Sequence, residues 1–560
     1  MGKRFFTALI LGVSLLGTAA TPVLSQGLAG PYLAANRALE HGSFDAAAQY
    51  YVRAMAADPV NVRLKQSAMV SFVAAGDFRS AAGIAQTMRA NGEADVFVDL
   101  VALTDFVGKG DYESAGAALA LHQDHLPPLL WGMLDAWVKI GSGEIEAGLK
   151  AFDEMSDTDA LTIYGQYHKA LAQAYQGEFE AAAAILDGNG EGALHLNRDS
   201  IIIHVEVLSE LGRNTEALQV LEDAIARGFR DEQLMSLRAD VAAGKLPSFT
   251  QIDAPAYGMS EALVTLADAL SRGEPDRTAL FYARLAQQLR PDFVDASLLI
   301  AELLELEEQY NLAEEAYGLV PEDSPLFIDA EIGRAEALRA AGDTEGATDI
   351  LVDLADSFPK DVIVLNALGD IYRGVENFAD SVDAYTQAIE NVSEFGPQHW
   401  VLFYTRGIGL ERLNDWPAAE ADLRRALELS PNQPFVLNYI GYSYIEMGIN
   451  FEEAQQMIET AVAGMPSNGY ITDSLGWVLY RVGKFEEAVA PMERAVELLP
   501  VDPIVNDHLG DVLWMVGRKL EAEFQWRRAI SFDPAPEDLE RIKRKLDVGL
   551  DVVLDEEAAN

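Results

Sequence analysis

Apolar and small residues recur along this chain with a period of about 34 residues, most regularly near its end. The clearest neighbours are GKFEEAVAPMERAVELLP, from Gly483 to Pro500, and GRKLEAEFQWRRAISFDP, from Gly517 to Pro534. Within each period, two stretches place apolar residues three and four apart, the spacing that lines one face of an α-helix. The pattern therefore predicts a helix-turn-helix unit, with a first and a second helix in each period.

Small residues and helix breakers mark where these helices meet and end. A glycine follows the first helix of most units, where it supplies the positive φ that ends a helix. A proline often follows the second helix, which it cannot continue. Alanines such as Ala488 and Ala522 recur where the two helices cross and let the backbones approach closely. About fourteen such units fit between residues 28 and 536.

These residues resemble the tetratricopeptide repeat (TPR) family, and the last five units match its pattern best. The resemblance implies an all-α fold, a right-handed superhelical solenoid of stacked helix pairs. Each unit of a solenoid contacts mainly its neighbours, and the extended inner surface usually binds other proteins.

Two segments interrupt or end the repeats. Residues 244–259 (GKLPSFTQIDAPAYGM) contain two prolines and break the period, which predicts a linker between a degenerate array at 28–243 and a regular array at 260–536. Residues 537–547 (EDLERIKRKLD) predict a charged amphipathic helix, because a terminal repeat needs a polar outer face. This capping helix and an acidic tail make up 537–560.

The N-terminus has the layout of a secretory signal peptide. Lys3 and Arg4 precede an apolar run from Phe5 to Leu16, and small residues follow. We expect cleavage after Ser25 or, alternatively, after Ala20. The run is short for a retained membrane anchor, which needs about 20 apolar residues, and no later segment is predicted to span a membrane. The prediction is export to the periplasm of a Gram-negative bacterium.

Charge and composition exclude several classes of function. A formal net charge of −48 repels phosphate backbones, so we expect no nucleic-acid partner. The absence of cysteine excludes disulfides, thiolate zinc sites and a lipid-modified cysteine. His122 and His125 lack a third metal ligand. The loop that starts at Asp187 lacks the closing carboxylate of a calcium site. We therefore predict no cofactor, no metal and no catalytic residue.

The family resemblance assigns positions 2, 5, 9, 12 and 13 of each unit to an inner groove. In the middle of the chain this groove is acidic, and residues 291–330 hold eleven carboxylates without any lysine or arginine. This groove would be either a binding surface for a basic partner or for cations, or simply an acidic face exposed to solvent. The predicted acidic groove comprises Glu206, Asp268, Asp295, Glu302, Glu305 and Glu336.

From residue 362 onward the same positions become aromatic and mixed polar. Asn, Asp and Arg can hydrogen-bond the backbone or carboxyl terminus of an extended peptide, and Tyr and Trp add rigid apolar area. The alternative is that several of the aromatic residues pack between successive first helices. The predicted protein-binding groove comprises Asn366, Asp370, Arg373, Tyr404, Arg412, Asn438, Tyr442, Tyr470, Asp473, Trp477, Tyr480, Arg481, Asp507 and Trp514.

These features favour a non-enzymatic periplasmic scaffold or adaptor. The C-terminal half is similar to exported bacterial TPR proteins in three stretches, Leu437–Gly448, Tyr470–Val489 and Asn506–Ala529. Among such proteins is a lipoprotein adaptor that recruits a carboxyl-terminal processing protease, although this chain lacks the lipid-modified cysteine. Partner identity stays open at this point.

Two other interpretations stay open. One is a self-associating structural protein of the cell envelope, since residues 511–546 are near neutral, with eight basic and seven acidic side chains. The other is a glycan-acting enzyme with a carboxylate-lined groove. Against the enzyme, no segment outside the repeats exceeds about 30 residues, which is too short for a catalytic domain.

Overall fold

The computed structural model describes residues 27–155, 159–188, 198–228, 232–272 and 277–559. Over these ranges the chain forms 31 α-helices and no strand, which confirms the all-α prediction. Fourteen helix pairs follow the predicted units, α13 stands between two of them, and two helices follow the last. The predicted signal peptide, 1–25, lies outside the described residues.

The helices divide into two compact units, which meet in sequence between Gly342 and Asp343. The first unit contains α1 Ala29–Glu40, α2 Phe44–Ala57, α3 Val62–Ala74, α4 Phe78–Ala90, α5 Val96–Gly108, α6 Tyr112–Leu119, α7 Pro128–Gly141, α8 Ile145–Met155, α9 Asp159–Tyr175, α10 Phe179–Leu186, α11 Arg198–Glu210, α12 Asn214–Ala226, α13 Glu232–Ala242, α14 Pro255–Ser271, α15 Arg277–Leu289, α16 Val294–Leu306, α17 Tyr310–Tyr317 and α18 Phe327–Ala341.

The second unit contains α19 Thr344–Ser357, α20 Val362–Gly374, α21 Phe378–Asn391, α22 Trp400–Arg412, α23 Trp416–Leu429, α24 Pro434–Met447, α25 Phe451–Gly464, α26 Gly469–Arg481, α27 Phe485–Leu498, α28 Pro503–Met515, α29 Lys519–Ser531, α30 Pro536–Val548 and α31 Leu550–Ala559. In the described ranges, no helix is both long enough and apolar enough to cross a bilayer.

Glycines in the first helices allow the close crossing that the sequence predicts. A methyl group added at Gly369 would lie 2.4 Å from the Tyr385 ring, and one at Gly510 would lie 2.4 Å from the Trp526 ring. Each bulky side chain of a second helix therefore sits directly against the backbone of its first helix. This is the packing expected where small and large residues alternate across a helix interface.

In the first unit, α14 and α15 pack against first helices of earlier pairs. Helix α14 contacts α7 and α9, while α15 contacts α3 and α5. On α14, Gly258 lies directly against the Trp137 ring, and Glu261 accepts a hydrogen bond of 3.0 Å from Tyr167. The inner faces of these early repeats are therefore covered by the chain itself.

The segment that breaks the repeat period, 244–259, lies inside the first unit. The Phe249 amide donates to Glu210 at 3.0 Å, and the side chain of Gln251 donates to Glu206 at 3.0 Å. Arg290 in turn donates to the Gln251 carbonyl at 3.0 Å. The prolines interrupt the helices here without interrupting the packing, and the division between compact units falls 83 residues beyond 259, at Gly342.

Candidate functional site

The first helices of the second unit lie side by side, and side-chain contacts connect those from α22 onward in order. We call the surface formed by α20, α22, α24, α26 and α28 the inner face. The connecting contacts are the Tyr404 and Tyr439 rings at 6.0 Å, Trp477 Nε1 to Glu446 at 3.0 Å, His508 Nδ1 to Asp473 at 2.9 Å, and Lys545 Nζ of α30 to Asp507 at 2.7 Å. The structure thus brings residues of the predicted binding groove onto one continuous surface.

On α20, three predicted residues are organised around the carboxylate of Asp370. Asn366 and Arg373 each donate to it at 3.0 Å, and Tyr385 of α21 donates at 2.8 Å. Residues 366, 370 and 373 follow the spacing of one helix face. Asp370 therefore holds the amide of Asn366 and the guanidinium of Arg373 in fixed positions at the surface.

Tyr404 on α22 and Tyr442 on α24 present hydroxyl groups with unused hydrogen-bonding capacity. Neither hydroxyl has a hydrogen-bond partner within the described ranges, and both side chains are half-buried. Burial raises the pKa of both groups, and for Tyr442 the charge of Glu446 adds to this effect. Both tyrosines are therefore neutral donors at physiological pH.

Two amide oxygens, one on α20 and one on α24, also lack partners in the described residues. In the described part of the chain, Oδ1 of Asn366 and Oδ1 of Asn438 are buried without a hydrogen bond. A buried acceptor left unpaired costs about 1–3 kcal/mol. The terminal torsion of asparagine is soft, so a small rotation would turn the Asn438 amide toward a ligand, whereas Asp370 holds the amide of Asn366. Backbone N–H groups of an extended peptide are donors of the required kind.

Charges on this part of the inner face are balanced. Glu411 accepts from Tyr439 at 3.1 Å, and Arg481 lies 3.5 Å from Glu446. Arg412 is exposed and lies over the Phe378 ring at 5.4 Å. Together with the Asp370–Arg373 pair, these groups favour neither sign of charge, so recognition of a neutral peptide backbone suits the surface best.

Farther along, predicted groove residues on α26 are buried. Trp477 stacks between Tyr480, at 4.8 Å, and His508, at 4.0 Å, and Asp473 bonds His508. All four side chains are buried. Here the aromatic residues pack between successive first helices, which is the alternative that the sequence left open. Tyr470, at the start of α26, is 60% exposed.

Helix α30 covers the inner face of α28. Lys545 has no exposed surface, and its Nζ lies 2.7 Å from Asp507 and 2.6 Å from Asp511. Burial and the Asp511 charge raise the pKa of Asp507 to about 6. Trp514 packs against Gly549. Asp507 is therefore paired within the chain instead of facing an open groove.

Sequence reasoning missed Lys545. One signal could have found it, because Lys545 lies three residues after Ile542 and next to Leu546, on the apolar side of the amphipathic segment 537–547. A lysine at such a position is buried only with a partner of opposite charge. The pair Asp507 and Asp511, four residues apart on one helix, supplies that partner.

The six residues of the predicted acidic groove all lie in the first unit, and most have partners there. Glu206 is buried beside Gln251, and burial raises its pKa to about 7. The other contacts are Asp268 with Arg272 at 2.7 Å, Asp295 with Arg198 at 2.5 Å, Glu305 with Tyr317 at 3.1 Å, and Glu336 with Arg339 at 3.1 Å. Glu302 is exposed.

Metal-ligating side chains do not cluster in the described ranges, where no group of three or more His, Asp or Glu could hold an ion. His122 bonds Asp99 at 2.5 Å. The loop after Asp187 falls largely on residues outside the described ranges.

Comparisons with known proteins agree with the helix pairs. A tetratricopeptide repeat model matches residues 366–434, the part of the chain that contains Asn366, Tyr404 and Arg412. TPR repeat-containing protein PA4667 of Pseudomonas aeruginosa is 30% identical over 158 residues, covering 28% of this chain and 26% of that protein. Cellulose synthase operon protein C of Pseudomonas fluorescens is 24% identical over 356 residues, 57% of this chain and 27% of that protein. The matched regions thus span about a quarter of each relative.

Solved structures also resemble the chain. A tetratricopeptide repeat protein from Parabacteroides merdae covers 46% of this chain with a TM-score of 0.37 and 17% identity, and 98% of that protein is matched. The Cut9–Hcn1 complex contains a chain that covers 93% of this one with a TM-score of 0.39 and 12% identity, and 96% of it is matched.

Proposed function

Because this chain is a tetratricopeptide-repeat protein, we propose that it is a scaffold that holds an extended segment of a partner protein on α20, α22 and α24. Tetratricopeptide repeats generally act as protein-interaction scaffolds and are typically non-catalytic. The proposal adds the place and the manner of binding. The peptide would run across the inner face and hydrogen-bond through its backbone.

The unmet hydrogen-bonding capacity of this surface carries the proposal. On three neighbouring helices, the amide oxygens of Asn366 and Asn438 and the hydroxyls of Tyr404 and Tyr442 lack partners within the described ranges. An extended backbone offers both N–H donors and carbonyl acceptors along its length. The ring faces of the tyrosines add apolar area of the kind that dominates interface energies.

The experiment uses ten-residue peptides displayed as a random library and selected on the full chain. Selected peptides are then measured by calorimetry against the wild type and Asn366→Leu/Asn438→Leu. Each substitution removes one amide oxygen and keeps the branched shape of the side chain, and Asn366→Leu also removes the donor to Asp370. We expect about a tenfold to 100-fold weaker affinity, since each lost hydrogen bond contributes about 0.5–1.5 kcal/mol.

The matched control is Gln398→Leu/Gln456→Leu, which removes two exposed carboxamides outside the inner face. Peptide affinity should be unchanged in this variant. If the Asn366→Leu/Asn438→Leu protein selects the same peptides with the same affinity as the wild type, the inner face is not the binding site.

We also propose that the scaffold works in the bacterial periplasm. The support is the N-terminal sequence, with Lys3 and Arg4 before the apolar run Phe5–Leu16. Mass spectrometry of the protein from fractionated cells tests export. A periplasmic chain that begins at Gln26 or Thr21 would support it, and an uncleaved chain in the cytoplasm would contradict it.

A further inference from the structure

An extended segment of the first unit lies across the inner side of α11. No helix forms between α13 and α14, and we call residues 246–253 (LPSFTQID) of this stretch the strap. The strap contacts Glu206 and Glu210, which occupy positions 9 and 13 of the unit that begins at Arg198. The family resemblance assigns both positions to the inner groove. The chain thus fills part of its own groove with an extended segment.

The strap is held by hydrogen bonds of the kind that hold a bound peptide. The Phe249 amide donates to Glu210 at 3.0 Å, and the Gln251 side chain donates to Glu206 at 3.0 Å. Arg290 donates to the Gln251 carbonyl at 3.0 Å. A backbone donor, a backbone acceptor and a side chain of the strap are therefore all recognised.

Few apolar contacts add to these hydrogen bonds. Of the eight strap residues only Ile252 is buried, and Leu246 is 43% exposed. Phe249 is half-buried, with its ring edge-on to the Phe179 ring of α10 and 6.2 Å between the centroids. Local opening is easiest where few apolar contacts are buried. The strap can therefore open at a lower cost in free energy than the helices beside it.

The strap leaves one acceptor of the groove unsatisfied. Glu206 is 6% exposed, and its Oε2 has no hydrogen-bond partner in the described ranges. A buried acceptor without a donor is unfavourable. The side-chain amide of Gln251 reaches only the other carboxylate oxygen, Oε1. The groove therefore has room in its hydrogen bonding for a better donor than the strap supplies.

An arginine at the place of Gln251 is such a donor. A guanidinium can donate to both oxygens of one carboxylate, and its charge strengthens the hydrogen bonds. Glu210, four residues along α11, adds a second negative charge to the same surface. The formal net charge of the whole chain is −48, which attracts a basic segment. The surface thus favours an extended segment in which an arginine follows an aromatic residue by two positions.

We propose that the inner side of α11 is a binding site for an extended, basic segment of a partner protein, and that the strap occupies this site until such a segment displaces it. The site lies in the first unit and goes beyond the surface formed by α20, α22 and α24. Because the strap competes for the same contacts, it weakens the apparent affinity by the fraction of molecules in which it is open.

The probe is a fluorescein-labelled peptide with the strap sequence carrying Gln251→Arg, and its binding to the full chain is measured by fluorescence anisotropy. Measurement at pH 8 keeps Glu206 ionised, because burial raises its pKa to about 7. We expect the arginine peptide to bind about tenfold more tightly than the unchanged strap peptide. Glu206→Gln in the full chain should remove this preference. Glu180→Gln, which changes an exposed carboxylate of α10, should keep it.

Loosening the strap should strengthen binding of the arginine peptide. Phe249→Ala/Gln251→Ala removes two side-chain contacts of the strap, and we expect about tenfold tighter binding. The matched control, Ser248→Ala/Thr250→Ala, changes two exposed side chains of the strap and should bind as the wild type does. If circular dichroism shows that the first variant is misfolded, Gln251→Ala alone takes its place.

Displacement also has a signature in the wild type. When the peptide binds, the Phe249 amide loses its acceptor, so exchange of the strap amides should become about tenfold faster by hydrogen exchange with mass spectrometry. Asn366→Leu/Asn438→Leu should bind the arginine peptide as the wild type does, and a loss of binding there would place the peptide on the second unit. That result, equal affinities for the two peptides, no gain on loosening the strap, or unchanged exchange in the strap would overturn the proposal.

Discussion

At the scale of single residues, buried polar groups carry both the candidate function and a measurable cost. Asn438 has an amide oxygen with no partner in the described ranges, and Glu261 is a buried carboxyl in the first unit. Neither arrangement is favoured by packing alone, because a buried polar group is stabilised only by a hydrogen bond or by neutralisation. Each of these two groups therefore leads to a prediction about the stability of the chain without a bound partner.

Replacing Asn438 with leucine should stabilise the free protein. The substitution removes an unpaired acceptor and keeps the branched shape of the side chain, so we expect the free energy of unfolding to rise by about 1 kcal/mol. Urea unfolding followed by circular dichroism measures the change. Asn468→Leu is the control and should destabilise, because Asn468 caps α26 by accepting from the Ile471 amide at 3.1 Å. A loss of stability in Asn438→Leu would show that its amide is already satisfied.

Glu261 should make the first unit less stable as the pH rises from 5 to 8. Burial, and then the charges of Asp199 and Asp295, raise the pKa of Glu261 to about 8. The folded chain keeps this proton up to that pH, whereas the unfolded chain releases it near the usual glutamate value of about 4.3. Glu261 therefore lowers the free energy of unfolding by up to about 1.4 kcal/mol for each pH unit in this window, while the buried His168, whose pKa burial lowers to about 3, contributes in the opposite direction below about pH 6.5.

Glu261→Gln removes this titration and retains an acceptor for Tyr167. We expect a flatter dependence of stability on pH between 5 and 8, and a more stable variant at pH 8. Chemical unfolding followed by pulsed hydrogen exchange of the amides in α9 and α14 at several pH values measures it. Glu180→Gln, which changes an exposed carboxylate, should keep the wild-type slope, and an equally steep slope in Glu261→Gln would refute the assignment.

At the scale of elements, the sequence predicted where the helices lie better than it predicted what packs against them. The 34-residue period gives each first helix an inner side, and the charged segment 537–547 was expected to be a helix. Whether an inner side stays open depends on what packs over it, and periodicity within one helix carries no information on this point. Asn366 and Tyr404 stay half-buried, whereas Trp477 and Asp507 are buried by the next first helix or by α30.

The stability of helix α30 should depend on its buried lysine, Lys545. In Lys545→Met, Asp507 and Asp511 would remain buried without their cation, which destabilises by about 3–5 kcal/mol. Amide hydrogen exchange in α28 and α30 should accelerate strongly. Lys543→Met is the matched control, because Lys543 is on the same helix and its ion pair with Glu540 is exposed. Adding Asp507→Asn and Asp511→Asn to Lys545→Met should restore protection, and no recovery would mean that the lysine acts by packing alone.

At the scale of the whole molecule, the two units are built differently. In the first, one apolar core runs through most of the repeats, from Phe44 to Ala337. In the second, the main core runs from Phe403 to Leu550, while Leu365, Ala388 and Leu402 form a small separate cluster. The sequence placed a boundary at 244–259 because prolines break its period. Long-range contacts such as Arg290 to Gln251 decide the packing there, and a local pattern does not reveal them.

The uneven core predicts uneven stability within the second unit. Local opening is easiest where few apolar contacts are buried, so we expect amide exchange to be faster in α20 and α21 than in α26 and α28. Hydrogen exchange with mass spectrometry resolves these helices. A bound peptide should slow exchange in α20 and α22 the most. Uniform protection along the unit would contradict the prediction.

The packing of α14 and α15 against α3, α5, α7 and α9 limits how the first unit can change in length. In an open array, a repeat can be inserted or deleted with only its two neighbours affected. In the first unit, an inserted repeat would shift Trp137 away from Gly258 and Tyr167 away from Glu261, contacts that join residues about 90 to 120 positions apart in the chain. New repeats can therefore be gained or lost in the second unit far more easily than in the first.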